Sequence, residues 1–200
     1  LLGDVVERKP DFAFLSAETV SRAADAFRRG IDCILRCQIR VNGQLTAWCQ
    51  QHDAETLAPT SARTYELPSI CTYESASIVH LLMELPEPEP RVIEAVDSAV
   101  AWFERSKITG KRYEKIVDPA LEYGVDRVLK DDPAAPPLWA RFYDIETNQP
   151  FFCDRDGVKR WKLEEVGAER RARYAWFTTS PQRVIDAYPK WRARILGEGK

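Results

Sequence analysis

Between about Ala17 and Gln38, apolar residues recur at three- and four-residue steps. Val20, Ala24, Phe27, Ile31, Ile34 and Leu35 make one stripe of an amphipathic helix, with Ser16 as its candidate N-cap. Val41-Asn42-Gly43-Gln44 then carries a two-residue hairpin signal, its second arm running from Leu45 to Trp48. Residues 49–69 have no helical period and contain Pro59 and Pro68, which predicts a long structured loop. The period returns from about Tyr73 to Leu85 (Ala76, Val79, Leu82, Met83) and stops at Pro86, Pro88 and Pro90. It resumes from about Arg91 to Lys107 (Val92, Val96, Ala99, Val100, Phe103). Residues 108–162 switch to prolines, glycines and short β-like runs such as Trp139 to Ile145, and two last helices are expected over about Leu163–Phe177 and Pro181–Leu196.

Helix pairs joined by short turns, with one long polar-aromatic insertion, predict a mainly α chain: a helical-hairpin array or an (α/α) barrel. No repeat of fixed period supports a regular solenoid. In such a barrel the loops gather at one end, so segments 49–69 and 108–162 are the expected walls of a groove.

Two hundred residues suffice for one domain with a sizeable core. A net charge of −2 argues against a nucleic-acid binder driven by bulk charge, and no apolar run approaches the roughly 20 residues of a membrane span. More telling is the choice of cation. Arginine outnumbers lysine 20 to 9, and several arginines sit in loops beside aromatics, where a planar guanidinium grips carboxylates or phosphates in a way lysine does not. The five cysteines lack the paired spacing of a zinc site; Cys33 and Cys37, four apart, share a helix face, and small buried apolar residues or a disulfide both fit the set.

Four blocks hold chemistry-bearing residues. Trp48-Cys49-Gln50-Gln51-His52-Asp53, with Arg63-Thr64-Tyr65-Glu66 after it, offers an aromatic plate, amides, an imidazole, two carboxylates and an arginine. Mutually satisfied polar loop residues would give the same pattern. In Trp139-Ala140-Arg141-Phe142-Tyr143-Asp144, strand alternation would place Trp139, Arg141 and Tyr143 on one face. Rings would cover sugar faces while the guanidinium takes an acid group; a half-buried strand with Arg141 paired to Asp144 or Glu146 is the plainer account. Asp154-Arg155-Asp156-Gly157 has turn chemistry and departs from the EF-hand calcium spacing. Finally, Arg170, Arg173 and Tyr174 would share a face of the expected helix.

In order and spacing, "RGIDCILRCQI", "LTAWCQQHD", "LAPTSARTYELPS", "PPLWARFYDIETNQPFFCDRDGVKRW" and "ERRARYAWF" resemble the family 10 polysaccharide lyases, which are pectate lyases. The resemblance spans roughly residues 29–70 and 136–178. It implies a helical, toroid-like (α/α) catalytic domain, export from the cell (secreted or periplasmic), and calcium-dependent β-elimination of polygalacturonate or oligogalacturonides; a monomer without nucleic-acid or membrane partners is expected beside it. It implies Arg63 as the Brønsted base and Arg141, Arg155 and Arg170 as uronate-carboxylate binders, with Tyr143, Trp48 and Asp53 completing the substrate-binding set. The family's acidic calcium ligands lie upstream of the "ILRCQ" helix, so residues 1–200 are expected to be the C-terminal part of one catalytic domain, with the metal-binding blocks outside it. Two other readings stand beside the lyase. One is a non-catalytic module that binds acidic polysaccharide. The other is an inverting glycosidase on an α/α barrel, which needs two carboxylates about 6.5–9.5 Å apart across a cleft.

Overall fold

The structure is a computed structural model and describes residues 1–197. The chain forms two compact units, Leu1–Cys37 and the part from Gln38 onward. In the first, α1 (Leu2–Val6) packs on α2 (Ala17–Arg36). The Ser16 hydroxyl caps α2 as expected, accepting from Thr19 N at 3.1 Å.

In the second unit the expected hairpin forms as β1 (Arg40–Val41) and β2 (Gln44–Leu45), with Asn42 and Gly43 both at positive φ. After the irregular segment come β3 (Ile70–Cys71), α3 (Thr72–Met83) and α4 (Pro90–Ser106), the last opening on a proline at its first position. The chain continues through β4 (Lys111–Val117), β5 (Val125–Asp131), β6 (Trp139–Ala140), β7 (Phe142–Tyr143), β8 (Pro150–Cys153) and β9 (Lys159–Arg160). It ends with α5 (Ala168–Arg173), β10 (Phe177–Thr178) and α6 (Ser180–Leu196). Helices α3, α4 and α6 pack on one another. Among the described residues no helix is long and apolar enough to cross a membrane.

The mainly α, (α/α) barrel or toroid architecture is corrected by this structure. Its strands fall into four small antiparallel sheets, one of them four-stranded in the order β3-β7-β8-β9, and no ring of paired helices closes among the described residues. The cause lies in residues 139–178. Their buried aromatic side chains come in adjacent pairs such as Phe142-Tyr143, Phe151-Phe152 and Trp176-Phe177 rather than recurring at helical steps, and the chain buries them by pairing short extended segments. Phe142 sits opposite both Cys71 and Phe151, and Phe177 opposite Ala140. The helix expected over 163–177 is likewise replaced by a single 3₁₀ turn, the six-residue α5 and then extended backbone, which buries Tyr174 and Trp176 together.

The core of this unit is aromatic: Trp48, Trp102, Trp139, Trp176, Tyr143, Phe103, Phe142 and Phe151 are all but fully buried. Their polar atoms are satisfied. Trp139 Nε1 donates to Phe103 O at 2.8 Å, and the Tyr143 hydroxyl donates to Ser106 O at 2.6 Å while accepting from Ala140 N. Tyr143→Phe is therefore expected to destabilise the protein by about 1–2 kcal/mol, because Ser106 O and Ala140 N lose a buried partner. Denaturant unfolding measures this, and a midpoint equal to that of the parent would refute it. All five cysteines are free thiols; Cys49, Cys71 and Cys153 are buried, whereas Cys33 is exposed and does not fit the small-core-residue reading.

Candidate functional site

Two tyrosine rings organise the site. Tyr65, from the loop before β3, and Tyr174, just past α5, meet edge to face with centroids 5.1 Å apart, and both are buried. Four guanidinium groups surround them. Arg63 lies 4.9 Å from the Tyr65 centroid and 5.6 Å from that of Tyr174; Arg170 lies at 4.5 and 5.9 Å. Arg141 is 5.0 Å from Tyr174, and Arg155 is 5.8 Å from Tyr65. Each distance is within the range of a cation–π contact. The four arginines expected from sequence to act together thus share two rings, although they come from four separate segments.

Local structure explains the convergence. Arg63 opens a tight turn in which Glu66 N donates to Arg63 O at 2.8 Å. Arg141 occupies the single-residue break between β6 and β7: its N–H donates to Trp176 O at 2.7 Å, and its carbonyl accepts from Thr72 N at 3.0 Å. Arg155 sits in the turn after β8, where Gly157 adopts a positive φ, and Arg170 lies in the first turn of α5.

Every guanidinium has a carboxylate. Arg63 Nε donates to Glu66 Oε2 at 2.7 Å and Nη2 to Glu66 Oε1. Arg141 Nη2 donates to Glu74 Oε1 at 2.5 Å, and its buried Nε has no protein partner. Arg155 and Arg170 both close on Glu169. Four guanidiniums against three glutamates leave this group with one positive charge in excess. Burial opposes ionisation of Glu66, but hydrogen bonds from Arg63 and from the Tyr174 hydroxyl (2.6 Å) outweigh it and hold the carboxyl at about 2. Glu169 is held at about 2 by its two arginines. The Glu66 pairing, against the pull of desolvation, drives the Arg63 guanidinium above its ordinary pKa.

Other residues expected at the site are placed differently. Trp48 and Tyr143 are about 1% exposed, so neither ring can face a sugar; both belong to the core. The alternation of Trp139, Arg141 and Tyr143 fails because the break at Arg141 turns its side chain away from two buried rings. Arg141 pairs with Glu74 rather than with Asp144 or Glu146. Asp53 closes a turn: its Oδ1 accepts from Glu55 N, Thr56 N and Thr56 Oγ1. Asp144 does the same for Glu146 and Thr147, so Asp53-x-Glu55-Thr56 and Asp144-x-Glu146-Thr147 are one turn used twice, each followed by a residue at positive φ. The shared D-x-E-T string was the available signal for that role. His52 is tied by Nδ1 to Leu57 O at 2.9 Å, and its Nε2 is buried, which is not the placement of a base facing solvent. Arg173 leaves the cluster for the Tyr123 ring. Sequence reasoning missed Tyr73 and Glu74. Tyr73, at 52% exposed, presents an open ring 5.6 Å from Arg141.

A model of the pectic acid lyase family matches residues 1–185. The chain belongs to the pectic acid lyase family. The family 10 polysaccharide lyase from Cellvibrio cellulosa is 33% identical, with a TM-score of 0.84 over 96% of this chain and 58% of that one. A mutant of that lyase in complex with trigalacturonic acid gives 33% identity and a TM-score of 0.82 over 94% of this chain and 58% of that one. The chain therefore spans less than two thirds of the length of those structures. No curated protein matches it.

The calcium implied by the resemblance finds no ready donor set in this member of the family. Among the described residues no group of three or more His, Cys, Asp or Glu side chains stands together so as to hold a metal ion. The acids of the site face arginines, and Asp156, in the Asp154–Gly157 turn, accepts from Val158 N and from Arg160. These residues by themselves do not fit a calcium ion.

Proposed function

We propose that the arginine cluster binds the acid groups of polygalacturonate and stabilises charge during β-elimination. The observation that carries this reading is the gathering of Arg63, Arg141, Arg155 and Arg170 on Tyr65 and Tyr174 with one positive charge to spare. The complex of a 33% identical lyase with trigalacturonic acid supports an oligogalacturonide as the ligand class.

Elimination removes the proton alpha to a uronate carboxylate and expels the glycosidic oxygen at the β carbon, leaving an unsaturated sugar. Negative charge grows on the carboxylate as the proton leaves, so guanidiniums aimed at it bind the transition state more tightly than the ground state. Arg63 and Arg155 are best placed to meet substrate, at 60% and 63% side-chain exposure. The open Tyr73 ring beside Arg141 supplies a flat apolar surface for a sugar face. The role of base, which the resemblance gives to Arg63, requires a guanidinium that gives up its proton. Pairing with Glu66 works against that, so this geometry favours charge stabilisation by Arg63 with the alpha proton passing to solvent water and the expelled glycosidic oxygen taking a proton from solvent; abstraction by Arg63 itself would first need release from Glu66.

Incubation of the full protein with polygalacturonate tests the reading. Elimination yields a product absorbing in the ultraviolet, hydrolysis yields reducing ends without that absorbance, and a binding module yields neither while retaining affinity for trigalacturonate. New reducing ends without the absorbance would sink the lyase reading. The acids around the two tyrosines, Glu66, Glu74 and Glu169, are each taken up by arginine rather than left as the free pair a glycosidase needs.

A further inference from the structure

The expectation that Arg170 itself grips substrate meets an obstacle: its side chain is 6% exposed, whereas that of Arg155 is 63% exposed. Between them lies Glu169. Its Oε2 accepts from Arg155 Nε at 2.9 Å and from Arg170 Nε at 3.2 Å; its Oε1 accepts from Arg155 Nη2 at 2.9 Å and from Arg170 Nη2 at 2.7 Å. One carboxylate is thus held in two guanidinium forks. Arg170, buried against both tyrosine rings, cannot give up this counter-charge without leaving an unpaired buried cation, which is costly. Glu169 is therefore fixed on its inner side and free to act only on its outer side, toward Arg155.

We infer that Glu169 is a positioning residue: anchored by buried Arg170, it holds exposed Arg155 by the Nε/Nη2 edge and presents the opposite end of that guanidinium to a uronate carboxylate. The inference rests on the uronate-binding reading above. A second tie runs beside the first. Asp154 Oδ2 accepts from Gly167 N at 2.6 Å, which clasps the Arg155 turn to the N-cap residue of α5. A Cβ at position 167 would lie 2.8 Å from Asp154 Oδ2, so a larger residue there would push that carboxylate away from the Gly167 N–H. Without these ties Arg155 is a long side chain on an exposed turn, and binding a ligand would have to order it.

Two readouts test this on the full protein. The first needs no ligand: the Arg155 Nε–H resonance should be ordered and slow to exchange in the parent and averaged in Glu169→Gln. The second is calorimetric titration with trigalacturonate. Arg155→Ala and Glu169→Gln should each weaken affinity about tenfold, and the double variant should be no weaker than Arg155→Ala, since Glu169 acts through Arg155. Gly167→Ala, which alters no charge, should weaken binding in the same direction. Tighter or unchanged binding in Glu169→Gln, additive losses in the double variant, or an unaltered Arg155 resonance would each overturn the inference. A parent protein that fails to bind trigalacturonate would instead overturn the uronate reading, and the resonance would still judge the anchor.

Discussion

Replacing Arg63 by alanine in the full protein is expected to slow formation of the ultraviolet-absorbing product from polygalacturonate by about 100-fold or more. Removing one preorganised donor from an acyl-transfer oxyanion site has an effect of that order, and Arg63 is placed for a comparable role. Its guanidinium is held on one edge by Glu66, is packed by Tyr65 and Tyr174, and remains 60% exposed. The charge it meets is largest in the transition state, so the loss should fall mainly on kcat. Arg63→Lys should recover only part of the rate, because an ammonium cannot keep the two-pronged bond to Glu66 while facing a substrate carboxylate. If both variants turn over within about threefold of the parent, Arg63 is not part of the mechanism. Unfolding curves run in parallel separate this loss from any weakening of the Glu66 turn.

What could be read from sequence, and what could not, divides along physical lines. Helices α2, α3, α4 and α6 carry clean apolar stripes or sharp proline boundaries, and each forms close to its expected limits. The hairpin at Asn42-Gly43 follows from backbone sterics alone. The seven-residue ribbon of β4 and β5 escaped notice because both strands are charged and only partly buried, so neither alternation nor an apolar run marks them. The barrel expectation failed for a related reason. It treated residues 108–162 as a loop-like insertion between helix pairs and 163–177 as a helix, whereas the rings of 139–178 are buried by strands two to four residues long, too short for a period to register.

The site shows the same division. Residue type revealed the arginines, because guanidinium-rich loops beside aromatics carry a chemical meaning whatever their conformation. Which rings belong to the site was not legible. Trp48 and Tyr143 look like sugar platforms in a linear reading, yet burial decides their role, and burial depends on partners far along the chain such as Ser75, which accepts from Trp48 N, and Ser106, which accepts from Tyr143. Glu74 and Tyr73 sit in the first turn of a helix that reads as scaffold. They reach the site only because Arg141 is stitched to Thr72 on one side and Trp176 on the other.

Glu66→Ala is the change expected to harm folding most among the charged residues of the site, by about 3 kcal/mol. Glu66 is 4% exposed and accepts from the Tyr174 hydroxyl, the Arg63 backbone N–H and the Arg63 guanidinium. Its removal leaves the buried tyrosine hydroxyl without an acceptor and releases the turn that carries Arg63. Acid should have a graded form of the same effect. The folded protein holds this carboxyl at about 2 against an ordinary 4.5, so between those values the unfolded chain binds more protons and falling pH favours unfolding. The contribution of Glu66 is complete above about 4.5 and is lost as pH falls toward 2. Glu169, Asp144 and Asp156 are also held at about 2, so all add to the slope and only a difference isolates one of them. Denaturant unfolding of the parent and of Glu66→Gln from pH 6 to pH 2.5 should therefore converge as the pH drops, since the variant has nothing left to protonate at this position. A gap between them that stays constant over that range would show that the Glu66 charge does not hold the two tyrosines and Arg63 together.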